Sequence, residues 1–287
     1  MTVSFGITTA PQQVGYDDLL RVWLEADALP TISHAWVFDH LFPIAGDRSG
    51  PIFEGWTLLA ALAAQTSRLR LGVLVTSNRI RPPALLARIA ATVDVISAGR
   101  LDFGIGVGSR PDIAWARDEY DAHGLPYVPV SDAIEALDEA CTVIRRLWTS
   151  SSPFDFSGRA VSLRGAWCNP KPVQPSVPFV IGGRSSRTLR IAARHADIWN
   201  VPGFDVDDAI SRSRVLDRYC AEAGRDPASL IRSIHLGVSY SDPVAVRSSI
   251  SQALDGGFRH ITLGLPSPYP PSVASWVASE VVAPFAG

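Results

Sequence analysis

Cysteine is scarce in this chain and unpatterned. Cys141, Cys168 and Cys220 are odd in number and far apart. They therefore form neither a disulfide framework nor the paired spacing of a zinc site, and all three are read as reduced and structural. An excess of one charge is missing too. The 26 Lys and Arg against 28 Asp and Glu leave a formal net charge of −2, without the basic field expected of a nucleic-acid binder or a like-charge tail. No apolar stretch approaches the roughly 20 residues of a membrane-spanning helix. The start, Met-Thr-Val-Ser-Phe-Gly-Ile, lacks the basic region and apolar run of a secretory signal. Internal repeats and low-complexity segments are absent as well. These absences lead us to expect a cytoplasmic, soluble protein with no nucleic-acid or membrane partner. Its expected partners are a small-molecule substrate and a second copy of itself in a homodimer.

What the chain does have is alternation. Its 287 residues, 47% hydrophobic and 19% charged, suit one α/β barrel domain spanning 1–287 and leave no room for a second. Strand-length apolar runs at 3–7, 35–38, 69–75, 101–105, 179–181, 198–201, 231–239 and 260–263 are separated by helical patterns at 17–28, 56–65, 83–97, 132–148, 185–195, 206–223 and 243–254, with a last helix at 273–282. Eight strands with interleaved helices predict a (β/α)8 TIM barrel rather than an open doubly wound sheet. Two segments break the rhythm. Residues 110–129 are polar and interrupted by proline and glycine, which predicts an active-site loop or lid. Residues 150–178, with five prolines, Gly158 and Gly165, predict an irregular insertion.

In such a barrel chemistry sits where strands end, which singles out four places. Asp39 and His40 follow the second strand; adjacent strand residues point oppositely, so both reach the mouth only if the chain bends. The bland alternative is an Asp that caps the next segment and a His packed on Phe42. Leu74, Val75, Thr76, Ser77 and Asn78 end the third strand, which by itself reads as an ordinary apolar strand. Gly104, Gly106 and Gly108 alternate and are followed by Ser-Arg-Pro rather than a helix, so they do not make the Gly-x-Gly-x-x-Gly fingerprint of a dinucleotide fold. Closely spaced glycines fit the close approach of a planar ring to backbone. Gly182, Gly183 and Arg184 lie between a strand and a helix, where free amides can hold a phosphate, or where Ser185 or Ser186 merely caps a helix. Arg79, Arg81 and Arg187 add local positive charge. Glu54, Trp56, Arg110, Trp115, Glu119, His123, Trp167 and Asn169 are further pocket candidates, with Trp56 equally suited to the core and Glu119 to a solvated helix face.

The pieces Asp39-His40-Leu41-Phe42-Pro43, Leu71-Gly72 through Arg79, Ser97-Ala98-Gly99-Arg100-Leu101, Ile181-Gly182-Gly183-Arg184 and residues 192–200 carry, in their order and spacing, a family resemblance. From about residue 5 to 265 the chain resembles the bacterial-luciferase-like superfamily, specifically its branch using the deazaflavin coenzyme F420. The resemblance implies a luciferase-like barrel with insertions that binds F420 without a covalent bond. It implies hydride transfer between the deazaflavin C5 and a small organic substrate, with reduction of an activated C=C or C=N bond as the preferred subclass. By resemblance, Asp39 and His40 lie at the reactive edge of the coenzyme with His40 the proton donor or acceptor. A cis Leu74–Val75 peptide backs the central ring, and Thr76 to Asn78, Gly106, Gly108 and the Gly182 to Arg184 turn complete the cofactor site. Two positions depart from the family's sugar-phosphate dehydrogenases, which carry glutamates where this chain has Gln12 and Ser109. The alternatives are an FMN-dependent luciferase-like monooxygenase, a non-catalytic flavin- or deazaflavin-binding protein and, more distantly, a metal-free hydrolase using Asp39 and Glu54.

Overall fold

The computed structural model describes residues 2–109, 113 and 116–285. Eight parallel strands form the barrel: β1 (Ser4–Thr9), β2 (His34–Val37), β3 (Arg70–Val73), β4 (Leu101–Gly106), β5 (Phe179–Gly182), β6 (Ile198–Pro202), β7 (Ile231–Gly237) and β8 (His260–Leu265). Each pairs with its sequence neighbours, and β8 returns to β1 with Ser4 opposite His260, so the sheet closes on itself. The expected (β/α)8 barrel is thus observed, with most predicted boundaries displaced by only a residue or two.

Closure buries both faces of every strand, and side chains alternate between them. One set, including Phe103, Phe179, Trp199 and Ile261, packs outward against the helices in the main core. The other points into the barrel, where Trp36, Val180 and Ile198 form a small apolar cluster with Leu74 and Ile231 packed against it. The rest of the interior carries polar side chains, several of which bond to one another. Trp36 Nε1 donates to His34 Nδ1 at 2.7 Å. The His34 ring stacks on His260 at 3.8 Å, and Ser233 joins His260 Nδ1 at 2.8 Å to the Asn200 amide at 2.8 Å. Room for these large side chains comes from glycine on adjoining strands: a Cβ on Gly6 would lie 1.8 Å from His34 Nδ1, and one on Gly72 2.4 Å from the Trp36 ring.

The structure corrects the sequence reading in three segments. Residues 150–178 are not wholly irregular, because Phe154–Ser157 and Ser162–Ala166 form an antiparallel hairpin. Its turn is held by the Glu139 carboxylate, which accepts from the amides of Arg159, Ala160 and Val161. The described part of 110–129 contains a helix, Ala116–Asp121. The last helix changes type, running as α-helix over Val273–Trp276 and as π-helix over Val277–Val282. All three cysteines are free and buried, and burial pushes the Cys141 thiol up to about 12. Among the described residues, no helix is long and apolar enough to cross a membrane.

Candidate functional site

Strands β2 to β5 are consecutive around the barrel and bring the candidate residues to one end of it. At the end of β3 the chain leaves its ladder through a cis Leu74–Val75 peptide and rejoins it as Thr76–Ser77, paired with Ile105 and Gly106 of β4. The cis bond stands where the family resemblance places it. Leu74 packs on the interior cluster of Trp36, Val180 and Ile198. Leu74 and Val75 are half-buried, whereas Thr76 to Arg79 are buried.

Val75 overturns one expectation. The glycines ending β4 and β5 do not leave bare backbone for a planar ring, because the Val75 side chain occupies their space. A Cβ on Gly106 would lie 2.8 Å from Val75 Cγ2, and one on Gly182 would lie 3.0 Å from it. A ring over these strand ends therefore meets Val75 methyls. Gly108 has a different reason to be glycine: its φ is +88°, and a Cβ there would lie 2.3 Å from Ser77 Oγ.

Asp39 is drawn into a closed ion pair. Its side chain has no exposed surface, and Arg81 grips it with Nη1 at 2.6 Å and Nη2 at 3.0 Å. The Thr76 hydroxyl also donates to Asp39 and accepts from Trp56 Nε1 at 3.2 Å. Arg81 makes a second ion pair with Glu54, whose carboxylate caps the helix Gly55–Gln65 through the amides of Trp56 and Thr57. Burial pushes the Glu54 carboxyl upward, but the Thr57 contacts and the Arg81 charge outweigh it and hold the group below its ordinary value. Arg81 is thus balanced by two carboxylates rather than contributing free positive charge.

His40 sits apart from this pair and has a partner that sequence reading undervalued. Its Nδ1 lies 3.1 Å and 3.2 Å from the two oxygens of Glu119. The helix Ala116–Asp121 turns Glu119 inward rather than to solvent, leaving its side chain 2% exposed against 24% for His40. The Leu41 amide donates to the same carboxylate at 2.6 Å. Burial raises the Glu119 carboxyl, but His40 and the amides of Leu41 and Phe42 outweigh that and hold it below its ordinary value. An ionised carboxylate only accepts, so Nδ1 carries the hydrogen that faces Glu119. No spacing rule joins His40 to a residue 79 positions away.

At the end of β5, Gly183 has φ +136°, and Ser185 caps the helix Ser186–His195 by accepting from the Thr188 amide. Gly182 and Gly183 are half-buried and residues 184–187 exposed, so the helix start is open to solvent. Arg184 pairs with Asp208 at 3.6 Å. Gln12 ties two loops together, donating to the Ala45 carbonyl at 3.2 Å and accepting from the Ile44 amide at 2.7 Å. The ring that packs on Phe42 is His123, while His40 meets Phe38. Trp56 is core, and the carbonyls of Trp167 and Asn169 accept from Arg88. Arg110 and Trp115 lie outside the described residues.

The sequence profile of the luciferase-like monooxygenase family matches residues 2–278. An uncharacterized protein of Mycobacterium tuberculosis is 30% identical over 242 residues, covering 82% of this chain and 79% of that protein. The fold is also that of an F420-dependent secondary alcohol dehydrogenase solved with an F420-acetone adduct, with a TM-score of 0.86, 19% identity and full coverage of both chains. It resembles the oxygenating constituent of 3,6-diketocamphane monooxygenase from Pseudomonas putida, solved with FMN, with a TM-score of 0.72, 15% identity and 99% of each chain covered.

Proposed function

Because the chain belongs to the luciferase-like monooxygenase family, we propose that it is an F420-dependent oxidoreductase acting on a small organic substrate, with an activated C=C or C=N bond as the preferred acceptor. The observation that carries this reading is the His40–Glu119 pair at the same barrel end as the Leu74–Val75 platform. The residues present fit a deazaflavin: half-buried Leu74 and Val75 offer apolar contact to one ring face, and the buried Asn78 Oδ1, without a hydrogen-bond partner among the described residues, can accept from a ring N–H. Gly182, Gly183 and the exposed start of the helix Ser186–His195 would take its phosphate. When bound, the deazaflavin supplies the hydride that is exchanged with substrate.

The chain's own part is binding and proton transfer. Asp39, locked to Arg81, fixes the Thr76 hydroxyl and the end of β3, which makes it a positioning residue. Glu119 orients His40, and His40 gives a proton to a reduced substrate or takes one from a substrate hydroxyl. His40→Ala should lower turnover by about 10²-fold while leaving cofactor affinity nearly unchanged. Glu119→Gln should lower it less and move the pH–rate profile. Unchanged turnover in His40→Ala, measured on a panel of enones, imines and secondary alcohols, would assign the histidine to packing.

Cofactor choice is tested by titrating the purified protein with F420 and FMN and following bound fluorescence. F420 should bind at least about tenfold more tightly, a difference of roughly 1.4 kcal/mol. Equal or stronger binding of FMN would favour the second reading, an FMN-dependent monooxygenase, which the likeness to the FMN-bound Pseudomonas enzyme supports.

A further inference from the structure

Arg79 has no role in the mechanism above, yet its position is costly. It follows the short Thr76–Ser77 strand at the barrel mouth and is 9% exposed. All three guanidinium nitrogens, Nε, Nη1 and Nη2, are closed from solvent and have no hydrogen-bond partner among the described residues. Arg81, two residues on, has two carboxylates; among the described residues Arg79 has none. Its guanidinium lies 4.9 Å from the centroid of the Tyr127 ring. That contact orients the plane and attracts the charge, but a ring face cannot satisfy the in-plane N–H donors. Beside it, Ser77 Oγ and Tyr120 OH hydrogen-bond each other at 2.8 Å. A buried cation without an acceptor is unfavourable unless an anion comes to it.

We propose that Arg79 receives an oxyanion, a carboxylate or phosphate group, carried by the small molecule that occupies the barrel mouth. The planar fork matches both groups with two parallel hydrogen bonds. The proposal rests on the reading of the mouth as the ligand site, but not on which flavin binds there. The anion belongs either to the cofactor or to the substrate, and the test separates the two.

Thermal unfolding of the full chain is followed with inorganic phosphate and with benzoate, for wild type, Arg79→Met and Arg79→Gln. Either anion should stabilise the wild type, and both variants should need at least tenfold more of it. Without anion, Arg79→Met should melt about 2 °C or more above wild type, because an uncompensated buried charge is gone. F420 and a deazaflavin lacking the phosphate side chain are then titrated into each protein. Tenfold weaker binding of F420 alone assigns the oxyanion to the cofactor; unchanged F420 binding with a lost benzoate and phosphate response assigns it to the substrate. Anion responses equal to wild type in both variants, or both melting several degrees lower with the response intact, would overturn the proposal. Failure of the wild type to bind F420, with its phosphate response intact and lost in the variants, would sink the deazaflavin reading and leave Arg79 as an anion site.

Discussion

Between pH 7 and about pH 5 the protein should lose several kcal/mol of folding stability, and buried histidines should account for most of the loss. Burial holds His235 and His260 at about 4, against an ordinary value of 6.5. His34 is also held well below, by burial and then by His260 stacked on it. In the unfolded chain these rings take up protons below pH 6.5, whereas in the native barrel His235 and His260 do not until about 4. Stability is therefore complete above 6.5 and falls as pH drops through that window, by about 1.4 kcal/mol per pH unit for each of His235 and His260. At pH 5 that is roughly 2 kcal/mol for His235 and a similar amount for His260. The carboxylates held low, among them Glu54 and Glu119, lose their contribution only further into acid. His235 is the cleaner test, because burial alone depresses it. Urea unfolding at the two pH values should show that His235→Gln has a slope shallower by about 1 kcal/mol per pH unit. Equal wild-type stability at both values would rule out the buried-histidine account.

Asp39→Ala should cost about 3 kcal/mol of stability, near the lower end of what breaking a buried ion pair costs. The substitution leaves Arg81, whose side chain is only 10% exposed, with Glu54 alone, and Glu54 is partly solvated at 38%. It also strands the Thr76 hydroxyl that Asp39 accepts from. Asp39→Asn keeps the shape and one acceptor oxygen and should cost less. A loss under about 1 kcal/mol in the alanine variant, measured by urea unfolding, would mean that Glu54 and water suffice to hold Arg81.

The barrel was legible because strand and helix periods alternate at the right lengths along the chain. Asp39, His40, Leu74 and Val75 were legible from motif order. What sequence could not supply was the direction each side chain takes. Asp39 and Arg81 are 42 positions apart and become partners only because β2 and β3 are neighbours. Glu119 sits in a polar segment that reads as a solvated helix face until the short helix Ala116–Asp121 is seen to place it beneath His40. Gly106 of β4 was picked as a close-approach position for a planar ring, but the group that approaches it is Val75 from the same chain. In each case the missing information was a contact between elements far apart in sequence.

The barrel interior also restricts change. Trp36 and His34 fill volume that Gly72 and Gly6 leave open, and the Val73 carbonyl would lie 1.9 Å from a Cβ on Gly104. The rings are not the whole obstacle, because a Cβ on Gly72 would also lie 2.3 Å from the Asp102 carbonyl oxygen and one on Gly6 2.3 Å from the His34 carbonyl oxygen. Shrinking Trp36 would therefore not admit a side chain at Gly72, while a smaller residue at position 36 opens a cavity costing about 3–5 kcal/mol. The glycine change brings a clash and the aromatic change a void, and neither repairs the other. Substitutions at Gly6 and Gly72 should accordingly stay strongly destabilising even when combined with a smaller residue at position 34 or 36.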